Sequence, residues 1–251
     1  MFTAPSMPLS LALAGLTGPT PRAQIEWAAQ VGYRAVQLNA AVLRPRELGR
    51  SARRDLAALL RRNQLRTSGI DLWIPTQHLL APEHADRATA ALIDACGFAA
   101  DMAELSGGQP VLSVALPHDD DARPVIESVC SVALERGVRL ADHTWPPTET
   151  ARDGSSPLSV GVDPAAIYLA EGIDADPAAS VSRLGPALAA VRLSDVGQTG
   201  RVAPGSGRLD TFAYAVAVAT SSFGGDVVVD LRTLTEQDTV ARDVIEQFGH
   251  D

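Results

Sequence analysis

Eight short apolar runs alternate with longer amphipathic segments along these 251 residues, and that alternation constrains the fold more than any other feature. The runs are "LSLALAGL" (9–16), "AVQLN" (35–39), "LRTSGIDL" (65–72), "PVLSVAL" (110–116), "VRLA" (138–141), "LSVGVD" (158–163), "AVRLS" (190–194) and "DVVVDL" (226–231). Each is short and rich in branched residues, as buried strands are, and the stretches between most of them carry the three-and-four spacing of helices. Glycine or proline punctuates most junctions, Gly32, Gly137 and Gly224 among them. Eight strands with intervening helices in this length is the arithmetic of a (β/α)8 TIM barrel, an α/β fold, read here as one domain over residues 1–251. A doubly wound sheet usually shows a glycine-rich fingerprint after its first strand, which "AGLTGPT" does not match. After the fifth run, "HTWPPTETARDGSSP" is rich in proline and serine, so the fifth outer helix is expected to be missing or reduced to a turn.

Composition removes several classes of function. All 21 basic residues are arginine and none is lysine. A guanidinium cannot do amine chemistry, so a Schiff-base lysine, a pyridoxal-phosphate anchor and a P-loop lysine are excluded. The net charge of −9 argues against a nucleic-acid surface, and no apolar run approaches the ~20 residues of a membrane span. The opening "MPLSLALAGLTGPTPRA" lacks a basic residue before its apolar stretch and reads as a first buried strand rather than a secretory leader. Cys96 and Cys130 have no metal-ligand spacing and read as two buried thiols, which points to a cytoplasmic location.

In such a barrel alternate strand residues face the helices and the axis, and chemistry collects at the strands' carboxyl ends. In the last four strands the valines and leucines, Val228 apart, take the outer phase. The inner phase then reads Arg139, Ala141 and His143; Ser159, Gly161 and Asp163; Arg192 and Ser194; Asp226, Val228 and Asp230. His143, Asp163, Arg192 and Asp230 are therefore expected to converge at one mouth. One imidazole and two carboxylates there suit a divalent metal; without one, paired carboxylates suit an acid and a base. A purely structural network, in which Arg192 neutralises Asp163 and Asp230, explains the same residues. His78 and His118 follow strands three and four and stand as rim residues able to meet a substrate hydroxyl. Trp73 is placed to stack on a sugar face. Asp119 to Asp121 read as a helix start, and Asp195 and Asp210 as loop-organising and capping residues. The amides of "PGSG" (204–207) offer a cradle for a phosphate or carboxylate.

The stretches "VRLSD" (191–195) and "PGSGRLD" (204–210), with "GVRLADH" (137–143), "VGVDPAA" (160–166) and "VVVDL" (227–231), resemble motifs of the xylose-isomerase-like TIM barrels, the sugar phosphate isomerase/epimerase superfamily. Carried over position by position, the resemblance puts the family's metal ligands at His143 (or Asp142), Asp163, Arg192 and Asp230. Only Asp163 keeps the usual residue type, and Asp230 is one methylene shorter than the usual Glu. Arg192 stands where the family has a metal-binding His and has no free lone pair. The usual Glu of strand two is Gln37, the His of strand six is Ala166, and the Lys of strand seven is Ser194.

The resemblance implies an isomerase or epimerase acting on a small sugar or polyol, with His143, Asp163 and Asp230 holding one divalent metal ion (Mn, Mg or Zn) or moving a proton. Arg192, Gln37, His78, His118 and Trp73 would then meet the substrate. The loss of the family's His and Glu residues supports an alternative, a degenerate barrel that binds a carbohydrate-like ligand or a partner protein without turnover. A lyase or hydrolase on the same barrel is a third reading, since fold does not fix reaction.

Overall fold

The computed structural model describes residues 7–154 and 156–249. All eight apolar runs are strands of one closed parallel barrel. In chain order they are β1 (Leu9–Ala12), β2 (Ala35–Asn39), β3 (Arg66–Asp71), β4 (Val111–Val114), β5 (Arg139–Asp142), β6 (Leu158–Val162), β7 (Leu188–Leu193) and, after a hairpin, β10 (Val227–Val229). Closure is made by β1 pairing with β10, Leu9 opposite Val227 and Leu11 opposite Val229. An open doubly wound sheet has no such pairing.

The outer phase of the strands packs under the helices in one continuous core. Leu11, Leu38, Ile70, Leu112, Leu140, Val160, Val191 and Val229 all belong to it. The axis is lined instead by small and polar side chains. Ala141, Ala189 and Ala190 form a small apolar patch with Val111, and the hydroxyls of Ser10 and Ser68 meet at 2.5 Å. The amino-terminal end is closed by the Arg66–Asp226 ion pair. An axis with so little bulk leaves room near the other end for long charged side chains.

Helices follow the strands as the alternation requires, with local signals at their ends. Thr20 caps Pro21–Val31 by accepting from the Ala23 amide, and Gly32 ends it in the left-handed region, where a side chain would be strained. The fifth outer helix is reduced to five residues, Glu149–Asp153, because its segment is spent on prolines and turns. Between β7 and the helix Thr211–Thr220 lies a two-stranded antiparallel hairpin, β8 (Asp195–Gly197) and β9 (Gly200–Val202). Among the described residues no helix is long and apolar enough to cross a membrane.

Candidate functional site

The carboxyl ends of β3, β6, β7 and β10, with the hairpin, bring three arginines and three aspartates into one cluster. Arg192, from β7, has the largest fully buried side chain of the protein. Its Nη1 donates to Asp230 at 2.6 Å and its Nη2 to Asp71 at 2.6 Å, with a longer 3.5 Å contact to Gln37 Oε1. Arg201, from β9, reaches down from the hairpin. It meets Asp163 at 2.6 Å and Asp230 at 3.4 Å. Arg232, two residues beyond Asp230, lies 2.8 Å from the Asp230 carboxylate and 3.4 Å from Asp71. The ring of Trp73 donates to Asp71 at 2.7 Å and lies against two guanidiniums, Arg192 at 5.3 Å and Arg232 at 4.9 Å.

The charges decide the protonation states. Burial alone would push the carboxyls of Asp163 and Asp230 up, but the surrounding arginines outweigh it and hold both below the ordinary 3.8. Asp163 gains further from Ser194, whose hydroxyl donates to it, and caps the helix Pro164–Glu171 through the Ala165 amide. His143 goes the other way: burial, then the charges of Arg192, Arg232 and Arg201, hold it well below 6.5. It is a neutral imidazole.

His143 ends a short buried chain of hydrogen bonds. Gln37 turns its oxygen to Arg192, so its Nε2 donates to Ser113 Oγ at 3.0 Å. The Ser113 hydroxyl lies 3.1 Å from His143 Nε2 and can donate to it or, through its second lone pair, accept from it, so the imidazole proton sits on either Nε2 or Nδ1. That Nδ1 is buried with no partner, and so is Arg192 Nε. Gly161 makes room for the ring, since a Cβ there would come within 2.6 Å of it.

These contacts correct several expectations. Among the described residues no group of three His, Cys, Asp or Glu side chains is arranged to hold a metal ion. The expected set His143, Asp163 and Asp230 is broken up by arginine: Asp230 is bound by three guanidiniums and Asp163 by one, while His143 Nε2 is engaged with Ser113. The donor set does not fit a divalent ion. Arg192 pairs with Asp230 as anticipated, but its second carboxylate is Asp71, not Asp163. His78 does not meet the cluster; its ring packs on His84 at 4.8 Å. His118 acts indirectly, its Nε2 3.2 Å from buried Asp142, and that hydrogen bond raises its pKa above 6.5. Trp145 donates to Glu171. Cys96 is buried, but Cys130 only half so.

The glycine loop is also reassigned. The amides of Gly205 and Gly207 (3.0 and 2.9 Å) and of Arg208 and Leu209 (both 2.9 Å) all donate to the carboxylate of Asp195, as does that of Val196 (2.8 Å). A Cβ at Gly207 would sit 2.3 Å from Val196 O and 2.5 Å from Asp195 Oδ1. The cradle therefore holds the chain's own carboxylate. Asp210 caps the next helix through the Ala213 amide, as expected.

No protein-family model matches the chain, and no curated protein matches it significantly. Solved structures do. A D-psicose 3-epimerase, determined in the presence of D-fructose, superposes with a TM-score of 0.71 over 97% of this chain and 100% of that one at 16% identity. A probable 3-DHS dehydratase, AsbF of Bacillus anthracis, gives 0.72 over 96% and 99% at 13%. A xylose isomerase-like TIM barrel protein from Mycobacterium smegmatis, in complex with magnesium, gives 0.67 over 98% and 96% at 12%. The fold is a (β/α)8 TIM barrel of the kind these structures share. At these identities the likeness reaches the fold and stops there, and the arginine cluster is described from this chain's own residues.

Proposed function

We infer that this chain is a small-molecule-binding barrel that captures a carbohydrate-like ligand at its arginine-lined mouth, without metal-dependent turnover. The observation that carries this reading is the Arg192 guanidinium, buried on the barrel axis and bound to Asp71 and Asp230. It supplies a fixed positive charge where the resemblance puts a metal ligand, and it cannot act as a Lewis acid or a base. Proton transfer fares no better. Asp163 and Asp230 are held ionised at lowered pKa, which makes them weak bases, and the buried His143 imidazole is tied through Nε2 to Ser113.

A carbohydrate-like ligand is supported by Trp73, the most open member of the cluster at 37% exposure, whose ring can take the C–H face of a sugar. It is also supported by the solved relative studied with D-fructose. The rival reading, an isomerase or epimerase with an altered site, draws on the same relative. Titration of sugars and polyols, followed by tryptophan fluorescence, separates the two when run beside epimerase and isomerase assays with manganese and with EDTA. Binding without turnover, unchanged by EDTA, is the expected result. Turnover that needs manganese and stops with EDTA overturns it.

A further inference from the structure

The cluster is arranged in two depths, and the sign of the charge differs between them. The carboxylates of Asp71, Asp163 and Asp230 lie inside with the Arg192 guanidinium, all with side chains 0–3% exposed, so the inner groups carry an excess of negative charge, and each carboxylate accepts from at least one arginine. Arg201 and Arg232 are the outer ones, 18% and 20% exposed. A ligand entering past Trp73 therefore meets guanidinium before carboxylate. Arg201 Nε and Arg232 Nη1 make no hydrogen bond within the described residues, so both arginines keep donors for a ligand.

Deeper in, two buried nitrogens have no partner: Arg192 Nε, which can only donate, and His143 Nδ1. Both side chains adjoin Trp73, Arg192 at 5.3 Å and the His143 ring at 6.2 Å. A buried donor left unpaired costs roughly 1–3 kcal/mol. Arg192 Nε, Arg201 Nε and Arg232 Nη1 can only donate, so the group that answers them is an oxygen that accepts. A hydroxyl also brings a proton that must find its own acceptor; a carboxylate brings two accepting oxygens and no proton.

We propose that the ligand class is a polyhydroxy carboxylate, a sugar acid, rather than a neutral sugar. Its carboxylate is held by the arginines and its hydroxyl-bearing chain lies along Trp73, with an oxygen reaching the Arg192 Nε donor beside His143. The proposal rests on the ligand-binding reading above and narrows it.

The test titrates the full chain with aldonates from tetronate to hexonate and with the alditols that match them, which differ only in carrying a terminal alcohol for the carboxylate. The expected result is binding at least about tenfold tighter for one or more aldonates than for the matched alditol. The preference weakens in high salt, falls in Arg201→Gln and Arg232→Gln, and returns in part in Arg201→Lys and Arg232→Lys. Thermal melts of each variant confirm folding, and Arg22→Gln, on an exposed helix face, serves as the charge control. At saturation the His143 side-chain nitrogen resonances shift. Alditols that bind as tightly as their aldonates, or a preference that survives in both glutamine variants, overturn the proposal and leave the ligand-binding reading standing. If neither series nor the neutral sugars bind at all, that reading falls as well.

Discussion

At the scale of single residues the deciding group is Arg192, and its surroundings explain why it is tolerated. A guanidinium at the barrel axis is costly to desolvate, and two close carboxylates offset the cost while keeping it charged. The same field sets the acid behaviour of the protein. His143 has a folded pKa well below 6.5, so below that pH the unfolded chain binds a proton that the folded one refuses. Stability then falls with pH at up to about 1.4 kcal/mol per unit from this group alone. His118 has the opposite sign: its folded pKa is raised, and its contribution fades only as pH climbs through that value. Asp163 and Asp230, with lowered pKa values, contribute above 3.8 and lose that contribution as pH drops through their folded values. Urea unfolding from pH 8 to pH 3 should therefore show two acid phases, and His143→Gln should flatten the upper one. An unchanged upper slope in that variant contradicts the assignment.

The residues that were legible are those on strands with clean alternation. Arg192, Asp163 and Asp230 fall on the inner phase of β6, β7 and β10 and their ends, and they lie at the mouth. Asp71 was not legible, for a local reason. The β2–β3 register shifts where Gln37 pairs with Gly69, so Ser68 and Gly69 occupy the space of one residue. Ser68 faces the axis, yet Ile70 packs outward and Asp71 turns in. Strict alternation across "TSGID" puts Asp71 on the wrong side. Arg201 and Arg232 escaped because they come from a hairpin and a post-strand turn, which carry no phase to read.

At the scale of elements the hairpin and the glycine loop behave as one unit organised by Asp195. Five backbone amides converge on its carboxylate, so the loop that resembles a phosphate cradle is a self-filled turn. Hydrogen bonds to a buried charge contribute more than neutral ones. Asp195→Asn keeps the shape but turns an NH2 toward amide donors. We expect it to cost roughly 1.5–3 kcal/mol. The amides of Gly205, Gly207, Arg208 and Leu209 should exchange faster with solvent, while those of β2 and β4 stay protected. Because Arg201 hangs from the same hairpin, the variant should also loosen its hold on Asp163. Uniform exchange changes across the barrel, or none, would contradict this local role. Asp195 was legible as a residue that organises this loop; that its carboxylate fills the cradle read for a phosphate was not, since the distance between them closes only when the hairpin folds back.

At the scale of the whole molecule the barrel was legible almost end to end, because period-two runs and amphipathic helices carry their own signature. The contraction of the fifth helix was legible from its prolines. The identity of the charge at the barrel's centre was not settled by the runs, since one imidazole, two carboxylates and an arginine fit both a metal site and an ion-pair network. The geometry favours the network: three guanidiniums interleaved with three carboxylates, with a neutral imidazole beside them. The most direct test is metal content. The purified chain is incubated with excess manganese, magnesium or zinc, desalted and assayed for bound metal beside Asp163→Asn. The account predicts no stoichiometric metal in either protein and no shift in melting temperature; one equivalent per chain that is lost in Asp163→Asn contradicts it.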